Sequence, residues 1–315
     1  MFSTVVIVLP IFALIFAGYL SRKLNILGPN ASTELNRFVI YLALPALLFD
    51  IMAKASWAQL DQVGFIAAFG LGAGIVFVLT MAWRVRSLRH LADASIDGIA
   101  CAYANTGYIG FPLCLMVFGR SSLAAVTIAS IITVCILFGA AIVIIEISLQ
   151  TERHTARLIR KVGFSLLRNP LLVAPVLGAG CSAAGLHMPD SAETFFKLLG
   201  GAASPCALVG LGLFLAQKRL AAQSHGSVPV WLALAKLILQ PALTWFFAYR
   251  VFAIPTTLAQ IAVLVAALPT GTGPFMLAEF YQREATLTSQ TILLSTLGAL
   301  ITLPVLLILL KITPT

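Results

Sequence analysis

The chain has 315 residues, of which 60% are hydrophobic and only 10% are charged, and its mean hydropathy is +1.01. Globular domains are about 45–50% apolar and about 25% charged, so this composition excludes an ordinary water-soluble domain and indicates a polytopic membrane protein. The formal net charge of +9 comes from basic residues between apolar runs, where lipid headgroups and topology account for them, so no nucleic-acid partner is expected.

The apolar runs predict an all-α protein with ten membrane spans, because one crossing of a bilayer core takes about 20 apolar residues. The predicted spans are 4–21, 34–54, 61–83, 93–118, 122–147, 166–184, 191–216, 229–250, 258–281 and 285–311. Fourteen lysines and arginines fall in loops on one side, and five fall on the other. Because basic loops stay in the cytoplasm, we expect an inner (plasma) membrane protein whose termini both face the periplasm or the extracellular space.

Glycine and proline interrupt the fourth span at 105–112 and the ninth span at 268–274. Unpaired backbone groups are costly in hydrocarbon, so interrupted helices survive at membrane depth only where they line a cavity enclosed by protein. Paired interruptions in the two halves of a chain point to a transporter's substrate site. The candidate substrate-binding residues in these breaks are Asn105, Thr106, Gly107, Gly110, Pro112, Pro269, Thr270, Gly271, Thr272, Gly273 and Pro274.

The two halves of the chain also match at their prolines. The matched pairs are Pro10 with Pro175, Pro45 with Pro205, and Pro112 with Pro274, at offsets of 165, 160 and 162 residues. These offsets predict a first repeat at 1–147, a basic cytoplasmic linker at 148–165 and a second repeat at 166–315. Five spans cross the membrane an odd number of times, so the second repeat is inverted relative to the first, as in many secondary transporters.

Four ionisable residues inside spans are candidates for function or for simple burial. Asp50 in the second span can serve the substrate or a coupling ion, or it can pair with nearby Lys54. Lys236 in the eighth span can face a bound anion or extend to the headgroups. Glu279 lies on the interrupted ninth span and is a further coupling candidate. Asp97 is predicted to favour the dipole at the start of the fourth span.

Several motifs together resemble one known family. They are Asn105-Thr106-Gly107, Gly110-Phe111-Pro112, the LPALLF stretch at 44–49, Asn169-Pro170, and the ALPTGTGP stretch at 267–274 with Ala278-Glu279. Over essentially the whole chain they resemble the auxin efflux carrier family, and most closely its bacterial malonate- and malate-permease branch. The resemblance implies a scaffold of spans 1, 2, 6 and 7 and a mobile transport domain of spans 3–5 and 8–10. It also implies crossing of spans 4 and 9, an elevator-like motion, a homodimer, and contact between the Asp50 region and substrate.

The main hypothesis is a secondary transporter of a small organic anion, a dicarboxylate such as malonate or malate. An ion gradient or the membrane potential would drive it, because the sequence lacks a P-loop pattern. No cofactor or metal is expected, and H⁺ or Na⁺ is the candidate co-transported ion. One alternative is a uniporter or exporter of an auxin-like or other monocarboxylate. Another is an intramembrane enzyme, which would need nucleophile–base pairs that the spans do not offer, so the chain is not expected to be an enzyme.

Overall fold

The computed structural model describes residues 2–55, 62–87, 90–150, 164, 167–186, 188–216, 226–310 and 312. Regular structure within these residues is helical, apart from one isolated β-bridge. Six helical stretches of the described residues are long and apolar enough to cross a membrane. This confirms the predicted all-α, polytopic membrane protein. Most of the linker expected at 148–165 lies outside the described residues.

The helices are numbered here in chain order. They are α1 (Phe2–Lys23), α2 (Ala31–Ala53), α3 (Val63–Arg86), α4 (Leu91–Ala102), α5 (Phe111–Phe118), α6 (Leu123–Ser148), α7 (Pro170–Ala183), α8 (Asp190–Leu215), α9 (Val228–Val251), α10 (Thr256–Ala266), α11 (Gly273–Phe280) and α12 (Ala285–Leu309). The predicted fourth and ninth spans each appear as two α-helices joined by a segment that is not α-helical: α4 with α5, and α10 with α11.

Prolines inside two long helices coincide with widened, π-helical turns. A π turn at Val39–Ala43 precedes Pro45 in α2, and another at Ala235–Leu239 precedes Pro241 in α9. A proline ring clashes with the carbonyl four residues earlier, and a wider turn gives that carbonyl room to move aside. Both helices therefore continue past their prolines with a local distortion and without a break.

Four helices pack in two close pairs. Helix α1 lies along the second half of α8, and α7 lies along α2. A Cβ atom at Gly18 of α1 would overlap the backbone of Val209, and one at Gly212 of α8 would overlap the backbone of Ile15. Gly178 of α7 is placed in the same way against the carbonyl of Phe49. Such close backbone contact provides van der Waals packing, which holds helices together in a membrane.

The other helices surround the two interrupted segments. Helix α3 packs on α4 and α9, α6 packs on α4, and α9 packs on α10 and α12. Large side chains such as Phe65, Phe138 and Phe275 are fully buried among these helices. The main hydrophobic core therefore encloses α4, α10 and the breaks that follow them, which gives the breaks the protein surroundings that exposed backbone needs.

Two ion pairs connect the helices that surround the interrupted segments. The Nε of Arg84 lies 2.6 Å from Oδ2 of Asp97, and both side chains are almost completely buried. Asp97 was expected to serve the helix dipole, but in the structure its carboxylate pairs with a buried guanidinium. Arg283, just after α11, donates from Nε to Asp93 of α4 at 2.8 Å. These pairs tie α4 to α3 and to the end of α11.

Candidate functional site

The two breaks lie side by side and pair through their backbones. The N–H of Asn105 donates to the carbonyl of Pro269 at 2.9 Å, and the N–H of Gly271 donates to the carbonyl of Tyr103 at 2.9 Å. The result is an isolated antiparallel bridge between Ala104 and Thr270. Where glycine and proline interrupt a helix, backbone N–H and C=O groups lose their partners, and hydrocarbon cannot replace them. Here each break provides hydrogen-bond partners for backbone groups of the other break.

Thr270 fastens the bridge to the neighbouring helices. Its buried hydroxyl donates to the carbonyl of Ala100 at 2.8 Å, and its N–H donates to Oγ of Ser295 at 3.1 Å. The carbonyl of Ala100 belongs to the last turn of α4, where carbonyls lack partners within the helix. Thr270 therefore joins the second break to α4 and α12, and it does not line the pocket beside the bridge.

A pocket of about 40 Å³ lies beside the bridge, between the two breaks and helices α2 and α8. Its lining residues are Leu44, Leu47, Tyr103, Ala104, Asn105, Thr106, Gly107, Val134, Ala203, Ser204, Gly271, Thr272 and Met276. Five sequence-predicted residues are thus brought together here, three from the first break and two from the second. A volume of this size holds a few water molecules.

The polar groups at the pocket are neutral donors and helix ends. The first break continues into a π turn at Thr106–Gly110, and α11 begins at Gly273, so both breaks lead into helix N-termini. Helix N-termini present unpaired N–H groups and a partial positive charge. The hydroxyl of Thr106 is buried without a hydrogen-bond partner. Because the lining residues carry no formal charge, the arrangement suits a ligand that brings its own acceptors, such as a carboxylate.

Tyr103 is a pocket residue that sequence reasoning missed. Its ring lies against two glycines of the second break: a Cβ at Gly271 would come within 2.9 Å of the ring, and one at Gly273 within 2.6 Å. The sequence feature that could have indicated this contact is the spacing of the two glycines. Glycines two positions apart leave room for an aromatic ring because they carry no side chains. Pocket residues on α2 and α8 were also missed, among them Leu47 and Ser204.

Several predicted residues shape the breaks without lining the pocket. Pro112 and Pro274 occupy the first turns of α5 and α11, where a missing N–H costs nothing. Pro269 supplies a bridge carbonyl. Gly110 packs under Leu268, whose Cδ1 would be 3.1 Å from an added Cβ. These four residues set the path of the chain through the crossing.

All four ionisable candidates lie outside the pocket lining. Asp50 Oδ1 lies 2.7 Å from Nζ of Lys54, and the same ammonium lies 2.8 Å from Oε1 of Glu193. This is the pairing that the sequence left open for Asp50. Glu279 is partly buried near the end of α11.

Lys236 is completely buried on α9, beside the ends of both interrupted helices. Its Nζ donates to the carbonyl of Ala266, the last residue of α10, at 2.6 Å. One turn later, Nε2 of Gln240 donates to the carbonyl of Ala102, the last residue of α4, at 3.3 Å. The lysine thus points inward, and not to the headgroups. Over the described ranges, no group of three His, Cys, Asp or Glu side chains could hold a metal ion.

Known proteins resemble this chain over nearly its full length. A family model described as membrane transport protein matches residues 3–307. A Rhizobium meliloti (strain 1021) protein named "Putative malonate transporter" is 30% identical, over 97% of this chain and 95% of its own. Auxin efflux carrier component 8 of Arabidopsis thaliana is 23% identical, over 94% of this chain and 93% of its own. An uncharacterized transporter of Methanothermobacter thermautotrophicus is 26% identical, over 94% and 95%. The chain therefore belongs to the membrane transport protein family that includes the auxin efflux carriers, and it is a membrane transporter and not an enzyme.

Proposed function

We propose that this protein is a secondary transporter of small organic anions, with malonate-like dicarboxylates as its substrate class. The observation that carries the proposal is the pocket beside the Ala104–Thr270 bridge, into which both breaks contribute. The name of the Rhizobium relative supports the same class of substrate.

The chemistry of the pocket supports an anionic substrate. A carboxylate can accept hydrogen bonds from the Thr106 hydroxyl and from the amide of Asn105, and helix N-termini favour negative charge. A buried hydroxyl without a partner costs free energy, and a carboxylate acceptor would remove that cost. Asn105 and Thr106 are therefore the proposed binding residues of the first break.

The local symmetry of the bridge supports a substrate with two carboxylates. An antiparallel pair has a local two-fold axis, which relates the Asn105–Thr106 side of the pocket to the Gly271–Thr272 side. A small dicarboxylate can place one carboxylate on each side. A monocarboxylate would use one side only.

The helix packing supports two inverted five-span repeats, 1–147 and 166–315, in which α4 with α5 and α10 with α11 each count as one span. Helix α1 packs on α8, and α7 packs on α2. If α7 is the counterpart of α1 and α8 the counterpart of α2, these two contacts are symmetry-related copies of one contact between the repeats. The antiparallel pairing of the breaks is consistent with that relation.

The position of the pocket supports an elevator-type movement. Leu47 and Ser204 come from the α1–α2–α7–α8 group, and Asn105 and Thr272 come from the crossing, so the pocket lies where the two groups meet. The pocket volume is only about 40 Å³, and separation of the two groups would enlarge it for substrate to enter. We further propose a homodimer in the inner membrane, with both termini outside. Exposed apolar side chains such as Val176 and Leu198 are available for subunit or lipid contact.

Counterflow in liposomes tests the proposal. Purified protein is reconstituted with unlabelled malonate inside, and entry of labelled malonate is compared with entry of succinate, acetate and indole-3-acetate. The proposal predicts saturable counterflow that is strongest for malonate and other short dicarboxylates. Counterflow restricted to monocarboxylates would move the assignment to the alternative substrate class, and absence of counterflow for every carboxylate would refute the function.

A further inference from the structure

Lys236 is a basic residue whose side chain is completely buried within a membrane protein. A charge in such a place is expensive unless fixed partners compensate for it, and buried ionisable groups in membrane spans commonly serve function. A hydrogen bond from Nζ to the carbonyl of Ala266, at 2.6 Å, joins it to the end of α10. A positive charge at this position would need nearby negative charge to offset the cost of burial.

The carboxyl ends of α4 and α10 converge on the same face of α9. Lys236 contacts the last residue of α10, and Gln240, one turn later, contacts Ala102 at the end of α4. Each helix end carries a partial negative charge from its unpaired carbonyls. Two such ends near each other form a place that attracts a cation, and here the protein's own ammonium occupies it.

Lys236 is connected to the pocket through short stretches of chain, since its partner residues lie a few positions before pocket-lining residues. Ala266 is followed within five residues by Gly271, and Ala102 is followed at once by Tyr103; Gly271 and Tyr103 both line the pocket. The helices that follow the breaks begin beside pocket-lining residues. The last residues of the helices that precede the breaks accept hydrogen bonds from Lys236 and Gln240. Charges buried in protein are screened far less than charges in water, so an ammonium at this position would stabilise an anion held at the bridge.

We propose, on the basis of the function proposed above, that Lys236 is the built-in counter-charge of the anion site and takes the place of a co-transported sodium ion. The anion then binds at the crossing without a metal cation, and its uptake or release follows its own gradient and the membrane potential. Lys236 is a positioning residue in this account, because it acts through the ends of α4 and α10 and does not line the pocket.

The test compares wild type with K236M, K236R and a matched control, K197Q, which removes a lysine from the exposed face of α8. Malonate counterflow is measured in liposomes with 100 mM sodium and with choline in its place. Wild type, K197Q and K236R should work equally well in both media. K236M should fall at least tenfold in choline and recover in part in sodium, because a small cation can enter the vacated place.

A second measurement needs no transported substrate. The thermal stability of each purified protein is recorded against sodium at constant ionic strength. Sodium should raise the melting temperature of K236M and leave that of wild type and K236R unchanged, a pattern that loss of packing alone would not produce. Sodium-dependent counterflow by wild type, sodium-dependent melting of wild type, or normal counterflow by K236M in choline would overturn the proposal. If wild type transports no carboxylate but the variants show the predicted melting pattern, the proposed substrate class is refuted. The role of Lys236 as a counter-charge is then still supported.

Discussion

Ala104 and Thr270 lie in opposite halves of the chain, yet their segments pair as the two sides of one antiparallel bridge. The N–H of Asn105 and the N–H of Gly271 cross this bridge in opposite directions, each at 2.9 Å. Neither break can move alone without losing these bonds inside a membrane, where lost backbone bonds are costly. The two breaks are therefore one structural unit, and the pocket beside them is shared between the halves.

Replacing Thr106 by valine should weaken substrate binding without weakening the fold. The hydroxyl is buried and has no hydrogen-bond partner, so its removal costs no internal bond. A hydrogen bond to a charged group is worth about 1.5–3 kcal/mol, which corresponds to a rise of about 10- to 150-fold in the KM for malonate. T133V is the matched control, since Thr133 has a similarly buried, unpartnered hydroxyl outside the pocket lining. Equal KM values for both variants would remove Thr106 from the site.

Replacing Thr270 by valine should reduce both stability and uptake. Its hydroxyl donates to the carbonyl of Ala100 at 2.8 Å, and the loss leaves a buried carbonyl unsatisfied at a cost of about 1–3 kcal/mol. Thermal unfolding of the purified protein measures this loss. T270S keeps the hydroxyl and should stay close to wild type in both assays. A T270V protein of unchanged stability would show that this bond does not hold the crossing together.

Replacing Gly273 by alanine should abolish uptake. The new Cβ would lie 2.6 Å from the ring of Tyr103, so the ring or the break must shift. Overpacking of this kind costs about 1–3 kcal/mol. G70A is the control, since nothing lies within 4 Å of a Cβ at Gly70, and alanine is the better helix former. Full uptake by G273A at wild-type stability would mean that Tyr103 is free to move.

Replacing Asp97 by asparagine should destabilise the protein strongly. Arg84 would keep its charge at a site that is about 5% exposed, and breaking a buried ion pair costs about 3–5 kcal/mol. The double variant R84M/D97L removes both charges and should recover most of this loss in thermal unfolding. If the double variant is less stable than D97N, the ion pair stabilises the fold by more than the neutralisation of each charge by the other.

The sequence predicted the membrane class, the interruptions and the partners of the breaks. Glycine and proline at 105–112 and 268–274 have few uses within a span except to open the helix, so their positions carried direct structural information. The family relationship was also readable, because the motifs around Asn105 and Thr270 occur together with the LPALLF stretch of the second span. Each of these signals is local in the chain.

Contacts between distant segments could not be predicted in the same way. Leu47 and Ser204 enter the pocket because α2 and α8 pack against the crossing, and an apolar span contains many equivalent leucines and serines. Asp97 looked like a dipole residue because its partner Arg84 lies at the end of another helix. The sequence alone allows the Lys236 side chain to point into the protein or toward the headgroups. Only the packing of α9 on α10 shows that it points into the protein.

Substrate protection of a cysteine placed at Thr272 tests the central claim most directly. The five native cysteines are first replaced by alanine, and the resulting protein must retain malonate counterflow. A small membrane-permeant thiol reagent then modifies T272C in the pocket or S121C, an exposed control between α5 and α6. The account predicts that malonate slows modification of T272C, with half-protection near the KM for transport, and leaves S121C unaffected. Modification of T272C at the same rate with and without saturating malonate would contradict a substrate site at the crossing.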